Sequence, residues 1–229
     1  MISIAIDGPA GAGKSTIAKL AAKELSFIYV DTGALYRSIG WYTLSCKKDP
    51  ADPDQVIPLL EQISVELRFV EGEQRVFLNG RDISEEIRLP EVSMAASHVS
   101  AIPQVRAFLF SLQRELAEKN NVLMDGRDIG TVVLPHAQIK IFLTASAESR
   151  ADRRVKQLAE AGNHVDYETI LTEIKQRDYN DSHRAIAPLK QADDAKLLDT
   201  TEFTLDESVK LVLDYIKGRM TELKRSRSE

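Results

Sequence analysis

The first apolar run of the chain, Ile2–Ile6, leads into Gly8-Pro9-Ala10-Gly11-Ala12-Gly13-Lys14-Ser15, a string whose residue types suit a polyphosphate. Glycines let the backbone fold tightly and turn successive N–H groups inward around an anion. Lys14 can reach the outer phosphates and the Ser15 hydroxyl is suited to Mg²⁺. The helix opening at Lys14 and continuing through Thr16 directs its positive end at the same anion. A glycine-rich string alone can be an incidental tight turn. Here an apolar strand precedes it and a helical pattern follows, which predicts a nucleoside triphosphate site.

A second set of charges gathers at loop–helix junctions: Arg37, Arg106, Arg127, Arg150, Arg153, Arg154, Arg177 and Arg184. Any one of them is explained by a surface ion pair. Grouped beside glycines and aspartates, they suit a site where two phosphorylated nucleotides converge, because guanidinium forks match phosphate oxygens. Arg177, Asp181 and Arg184 are spaced i, i+4, i+7, which places them on one helix face, with an Arg177–Asp181 salt bridge as the plain alternative. That helix should stop before Pro188, with Ala187 outside helical geometry. Asp128 reads either as a ligand-binding carboxylate or as a helix N-cap after Arg127. His98, His136, His164 and His183 lack metal-ligand spacing, and His183 reads as a solvated helix residue. Trp41, Tyr42 and Leu44 read as the buried side of a helix.

The elements that must position these residues alternate between strand and helix, as in a parallel sheet covered on both faces. Strands are expected at Ile2–Ile6, Phe27–Val30, Val122–Met124, Ile139–Leu143 and Lys196–Leu198, nearly all apolar because parallel sheets bury both faces. Asp7, Asp31, Asp125 and Asp199 follow four of them, at the edge where ligands bind in such sheets. Helices are expected over Thr16–Leu25, Ala147–Ala161 with Ser146 as cap, and from a Thr204/Glu207 capping box through Ile216. Two segments depart from the alternation. Between 33 and 102, Val65, Leu67 and Phe69 alternate with polar residues, Val76–Leu78 follows a Glu71-Gly72 turn, and Asn79-Gly80 signals a tight hairpin: a small antiparallel meander. The stretch 150–190 is helical and arginine-rich. The expected organisation is one domain over 1–229. Its core lies at about 1–32, 103–149 and 191–217, the excursions 33–102 and 150–190 cover the phosphate edge, and a basic tail at 218–229 ends in a solvated, frayed Lys224-Arg225-Ser226-Arg227.

Composition sets limits on the function. The 229 residues are 43% hydrophobic and 28% charged, ordinary usage for a soluble domain. A single cysteine, Cys46, excludes an internal disulfide framework and fits a reducing compartment, so the cytoplasm is expected. The N-terminal apolar run is too short for a membrane span. A net charge of −5 provides no global basic field, so neither nucleic acid nor a membrane is expected as partner, and the chain is expected to be a monomer. No N-K-x-D guanine-reading motif is present, which argues against a GTPase.

The strings DTGALYR (31–37), VSAIPQVR ending at Arg106, DGRDIGTVVLP (125–135) and IKQRDYNDSHRAIAPL (174–189) resemble the bacterial cytidylate kinases, a P-loop kinase family, over Ile2 to about Ile216. The resemblance implies a five-stranded parallel P-loop sheet with a small sheet in the monophosphate-binding insertion and a helical lid. It implies ATP-dependent phosphorylation of CMP and dCMP with Mg²⁺. It assigns Gly8 to Thr16, Arg150 and Arg154 to ATP, with Arg153 a third lid candidate, and Arg37 and Arg127 to the CMP phosphate. Lys14 bridges donor and acceptor, and Thr32 stands at the mouth of the acceptor site where the family often has serine. Ser97, Arg106 and Asp128 match the cytosine-reading positions, Arg177 and Asp181 the sugar-binding ones, and Arg184 the phosphates. Lys14, Arg127 and Arg184 are thereby the expected catalytic residues. Ser15 is the expected metal ligand, with Asp31 or Asp125 holding metal-bound water. Ala10 replaces a common serine, removing one hydroxyl contact. A kinase for UMP, dTMP or another acceptor, or a nucleotide-gated switch, remains the alternative.

Overall fold

The computed structural model describes residues 1–70, 73–160 and 162–226. Strands β1 (Ser3–Asp7), β2 (Ile28–Asp31), β6 (Val122–Gly126), β7 (Ile139–Thr144) and β8 (Lys196–Asp199) form one sheet in the order β2-β6-β1-β7-β8, with every neighbouring pair parallel. Each strand lies within a residue or two of its expected span, and the observed ends extend to the aspartates. Side chains alternate between the two faces. Ile4, Ile6 and Leu123 pack under α1 (Lys14–Leu25) and α8 (Leu205–Arg225). Ala5, Val122 and Met124 face the opposite layer, beneath α5 (Pro103–Lys119) and a π-type turn at Ile129–Val133.

The first excursion contains α2 (Thr32–Ser45), α3 (Pro53–Leu60), strands β3 (Val65–Val70), β4 (Glu73–Leu78) and β5 (Arg81–Asp82), and α4 (Pro90–Val99). Its strands form the expected antiparallel meander. Asn79 and Gly80 both take positive φ, 50° and 78°, as the tight two-residue hairpin requires. The expected Glu71-Gly72 turn lies outside the described residues. Leu35, Ile39, Val56, Val76, Ile83, Val99 and Leu109 build a core here that runs onto α5, so the excursion is welded to the main body through α2 and α5. Trp41 and Tyr42 pack against this core, half-buried.

The meander also closes one edge of the large sheet. The Gln74 side chain accepts from the Asp31 N–H (2.9 Å) and donates to the Asp31 carbonyl (3.3 Å), filling the place of a missing neighbour strand beside β2. The second excursion is a helix pair, α6 (Ala147–Glu160) and α7 (Tyr167–His183), closed on Ala151, Ile170, Leu171 and Ile174. Ser146 accepts from Ser149 N–H as the expected cap of α6, whose expected last residue, Ala161, is outside the described residues. The Thr204/Glu207 capping box is formed.

Helix α8 departs from expectation at its far end. It continues past Ile216 to Arg225, because Met220 and Leu223 extend the apolar stripe that Val212 and Ile216 begin. Lys224 and Arg225 thus belong to its last turn, where positive charge complements the helix dipole, and not to a frayed tail; Arg227 lies outside the described residues. Among the described residues no helix is long and apolar enough to cross a membrane.

Candidate active site

The loop from Gly8 to Gly13 runs from β1 into α1 over the carboxyl edge of the sheet. Gly8 has φ 151°, and a side chain there would drive into the Leu143 carbonyl at the end of β7, so glycine is needed for the close approach. No side chain caps α1, since Gly13 occupies its N-cap position, and the first N–H groups of the helix stay available to an anion. Lys14 is buried and donates to the Pro9 carbonyl across the loop (2.7 Å). Burial and the nearby Arg127 charge pull its ammonium well below the usual lysine range. Ser15 is exposed and donates to Asp125 Oδ2 (2.9 Å), while the Tyr29 hydroxyl donates to Asp125 Oδ1 (2.9 Å). Thr16 is exposed in the same turn.

Between the two carboxylates left open by the sequence, Asp125 is the one tied to Ser15. Asp31 instead caps α2 by accepting from Ala34 N–H (3.0 Å) and stands 3.8 Å from Arg37. Burial, with the Asp31 charge added, pushes the Asp125 carboxyl up to about 6. Thr32 is buried and gives its hydroxyl proton to the Asp125 carbonyl (2.8 Å).

The residues expected on the acceptor side converge, paired with each other. Arg127 Nε donates to Asp181 (2.8 Å), and Ser97 Oγ lies 3.5 Å from the other Asp181 oxygen. The Asp128 carboxylate takes Arg106 on one oxygen and Arg184 on the other (3.2 Å), all three side chains less than a tenth exposed. Asp128 occupies the N-cap position of the π-type turn yet makes no capping bond, so the cap alternative does not hold. Arg184 also donates to Ser100 Oγ (3.1 Å) and to the Ala187 carbonyl (2.7 Å).

Two expectations about α7 need correction. Arg184 is not on the helix face shared by Arg177 and Asp181; it is the C-cap residue, with extended φ −63°, ψ 142°, and it sits beside Asp128. The helix has ended by then, and Ala187 takes φ 48° as the chain turns into Pro188. The salt bridge Arg177–Asp181 is also absent, because Asp181 turns to Arg127 across the cleft. Arg177 donates to Ser93 Oγ (2.6 Å), and its buried Nε has no partner among the described residues. Burial and the Arg127 charge lower its guanidinium to about 10.

The three arginines expected at a donor-side lid differ. Arg150 is buried, donates to the Ala10 carbonyl (2.9 Å) and forks onto Asp178, so it is already locked to the phosphate loop. Arg154, half-exposed, donates to Gln157, and Arg153 donates to the carbonyls of Thr200 and Phe203 as a brace to the segment after β8. His183 stacks on Tyr179 at the exposed end of α7. Sequence reasoning missed Tyr29, Ser93, Ser100 and Asp178. Asp178 and Ser100 lie within the quoted strings, but the contacts that bring the four into the site, with Asp125, Arg177, Arg184 and Arg150, are distant in sequence.

A phosphate loop on a parallel sheet, opposed by a second pocket in which arginines and carboxylates neutralise one another, defines a nucleotide-binding transferase, a kinase acting on a phosphate acceptor. The chain belongs to the cytidylate kinase family, whose model matches residues 4–218. The cytidylate kinase of Caldicellulosiruptor bescii is 51% identical over 213 residues, covering 93% of this chain and 94% of that protein. That of Lactobacillus johnsonii is 48% identical over 219 residues, covering 96% and 95%. A solved structure of an uncharacterized protein from Eubacterium ventriosum shares the fold at 15% identity, with a TM-score of 0.52 over 95% of this chain and 99% of that chain.

Proposed function

We propose that the protein phosphorylates CMP and dCMP to CDP and dCDP with ATP as donor, by direct in-line transfer. The observation that carries the reading is the buried Arg106–Asp128–Arg184 group, on the same sheet edge as the phosphate loop. A carboxylate acceptor beside guanidinium donors is complementary to cytosine, with its N4 amino donor and its N3 and O2 acceptors. Uracil reverses two of these groups and would leave buried partners unpaired. The names of the relatives support the same acceptor.

Phosphate binding falls to Lys14, Arg37 and Arg127, joined by Arg177, whose unpartnered Nε and neighbouring Arg127 and Arg37 charges support a place at the acceptor nucleotide. When phosphate draws Arg127 away, Asp181 is released toward the sugar hydroxyls. Arg184 holds Asp128, Ser100 and the Ala187 carbonyl, so its catalytic role rests on exchanging one of these contacts for phosphate. Gly8 to Thr16 hold the triphosphate, Arg150 from a fixed position and Arg154 as the free arm. No general base is needed. The acceptor phosphate has a second pKa near ~6 and is largely dianionic at neutral pH. Catalysis is then alignment, charge stabilisation and exclusion of water as a rival acceptor.

Ser15 and Asp125 suit Mg²⁺, since both present oxygen and this ion commonly takes one or two protein ligands with waters and substrate phosphates. Bound there with ATP, Mg²⁺ would neutralise charge on the β- and γ-phosphates.

ADP formation measured with ATP and Mg²⁺ across CMP, dCMP, UMP, dTMP, AMP and GMP tests the reading. CMP and dCMP should be good acceptors, UMP much poorer, and AMP and GMP essentially inactive. Equal or better turnover of AMP or dTMP would refute it. A switch would show slow ATP hydrolysis with no acceptor requirement.

A further inference from the structure

We propose that Asp7, outside the acceptor pocket, is a positioning residue that caps the turn after Arg127-Asp128 from across the sheet and so spares the Asp128 carboxylate for Arg106, Arg184 and the base. The inference rests on the acceptor reading above. The turn Ile129–Val133 begins with backbone N–H groups that need acceptors, as any helix start does. The residue placed to supply one, Asp128, spends both carboxylate oxygens on Arg106 and Arg184. Asp7, the last residue of β1, supplies them instead. Its Oδ1 accepts from Ile129 N–H and its Oδ2 from Gly130 N–H, both at 2.7 Å.

The fit is tight and dry. Asp7 is 4% exposed, and a Cβ at Gly130 would come within 3.3 Å of its Oδ2 and 3.2 Å of Lys140 Cδ. Asp7 is also the residue before Gly8, so one carboxylate ties the entry of the donor loop to the loop carrying the acceptor-reading residues. Burial pushes its carboxyl up to about 6, and the two N–H bonds oppose that rise. An isolated core would place an apolar residue at the end of a buried strand. The carboxylate is explained by the two amides it satisfies.

Asp7→Asn is the near-isosteric test. An amide offers one acceptor to two N–H donors, so one bond is lost and the turn shifts. The KM for CMP should rise about tenfold, and the CMP-to-UMP ratio of kcat/KM should fall by a similar factor, with the KM for ATP changing less than about threefold. In amide NMR spectra, the resonance of Ile129 or Gly130 should move upfield as its carboxylate bond is lost. Because Asp7 acts through Asp128, Asp7→Asn should leave the ratio unchanged in an Asp128→Asn background. If Asp7→Asn does not fold, Gly130→Ala presses on the same contact from the other side and should split the two KM values in the same direction. Unchanged CMP kinetics with only a lower melting temperature would overturn the assignment. So would equal rises in both KM values, which would make Asp7 a support of the phosphate loop alone. If the wild-type enzyme itself showed no preference for CMP over UMP, the acceptor reading would fail instead. The amide resonances and the split between acceptor and ATP would then decide the role of Asp7.

Discussion

Asp128→Asn tests the proposed acceptor pocket most directly. In the structure Asp128 is 4% exposed and holds two guanidiniums, so the substitution removes a charge on which two buried cations depend. Breaking a buried ion pair from one side costs about 3–5 kcal/mol, and the amide oxygen can retain one of the two contacts. The expected loss is therefore about 3 kcal/mol, or roughly 6–12 °C in melting temperature for a domain of this size. Function should change in a more specific way. The amide keeps an acceptor for cytosine N4 but without charge, and its NH₂ can face the O4 of uracil. Discrimination worth about 1–3 kcal/mol should be lost from the CMP-to-UMP ratio of kcat/KM. Urea denaturation gives the first quantity and coupled ADP assays the second, the ratio cancelling general damage to the site. A variant that lost stability while holding the wild-type ratio would make Asp128 a structural anchor for Arg106 and Arg184, and base reading would have to rest on Ser97 and Arg106. A variant unchanged in both would refute the pairing itself.

Other outcomes follow from the same geometry. Lys14→Ala and Arg127→Ala should each lower kcat by roughly 10²-fold or more, since both stabilise charge in transfer; near-normal kcat with a normal melting curve would remove that role. Asp125→Asn should be slower yet more stable at pH 7. The rise of its carboxyl from 3.8 to about 6 corresponds to about 3 kcal/mol, partly offset by weakened bonds from Ser15 and Tyr29, which leaves a gain of about 1 kcal/mol. Because the folded value is raised, this group's contribution to stability is full below pH ~4 and is lost as pH climbs through about 6. The variant's advantage should accordingly shrink on titration from pH 7 to 5, and a variant less stable than wild type at pH 7 would contradict the placement of Asp125.

What could be read from sequence was local. Alternating strands and helices, the glycine loop, Asn79-Gly80 and the Thr204/Glu207 box are each written within a few residues, and each forms as expected. The string from Asp125 to Pro135 marked the segment that carries Arg127 and Asp128 into the arginine–carboxylate cluster. The partners within the site were not legible, because they are set by the tertiary fold. Asp181 chooses Arg127, 54 positions away, over Arg177 on its own helix, and Asp7 finds amides more than 120 positions away. Spacing on a helix defines which side chains share a face, but a better-placed cation across a cleft outcompetes the neighbour one turn away. The end of α8 was legible in part: Met220 and Leu223 keep the helical period, but the surrounding charges hide it.

The pairing of Arg127 with Asp181, of Arg106 and Arg184 with Asp128, and of Arg150 with Asp178 gives the protein resident counterions. An arginine-lined cleft without them would repel itself when vacant and hold any polyanion too long once filled. On the proposed reading, Arg127 and Arg184 each leave a carboxylate that can take them back, while Arg150 stays fixed on Asp178. Substrate binding would then be an exchange of anions rather than a capture, and its dependence on ionic strength should be shallower than the number of arginines suggests. The same exchange run backward would hasten departure of the diphosphate: carboxylates that hold the site in shape between turnovers would also help to clear it.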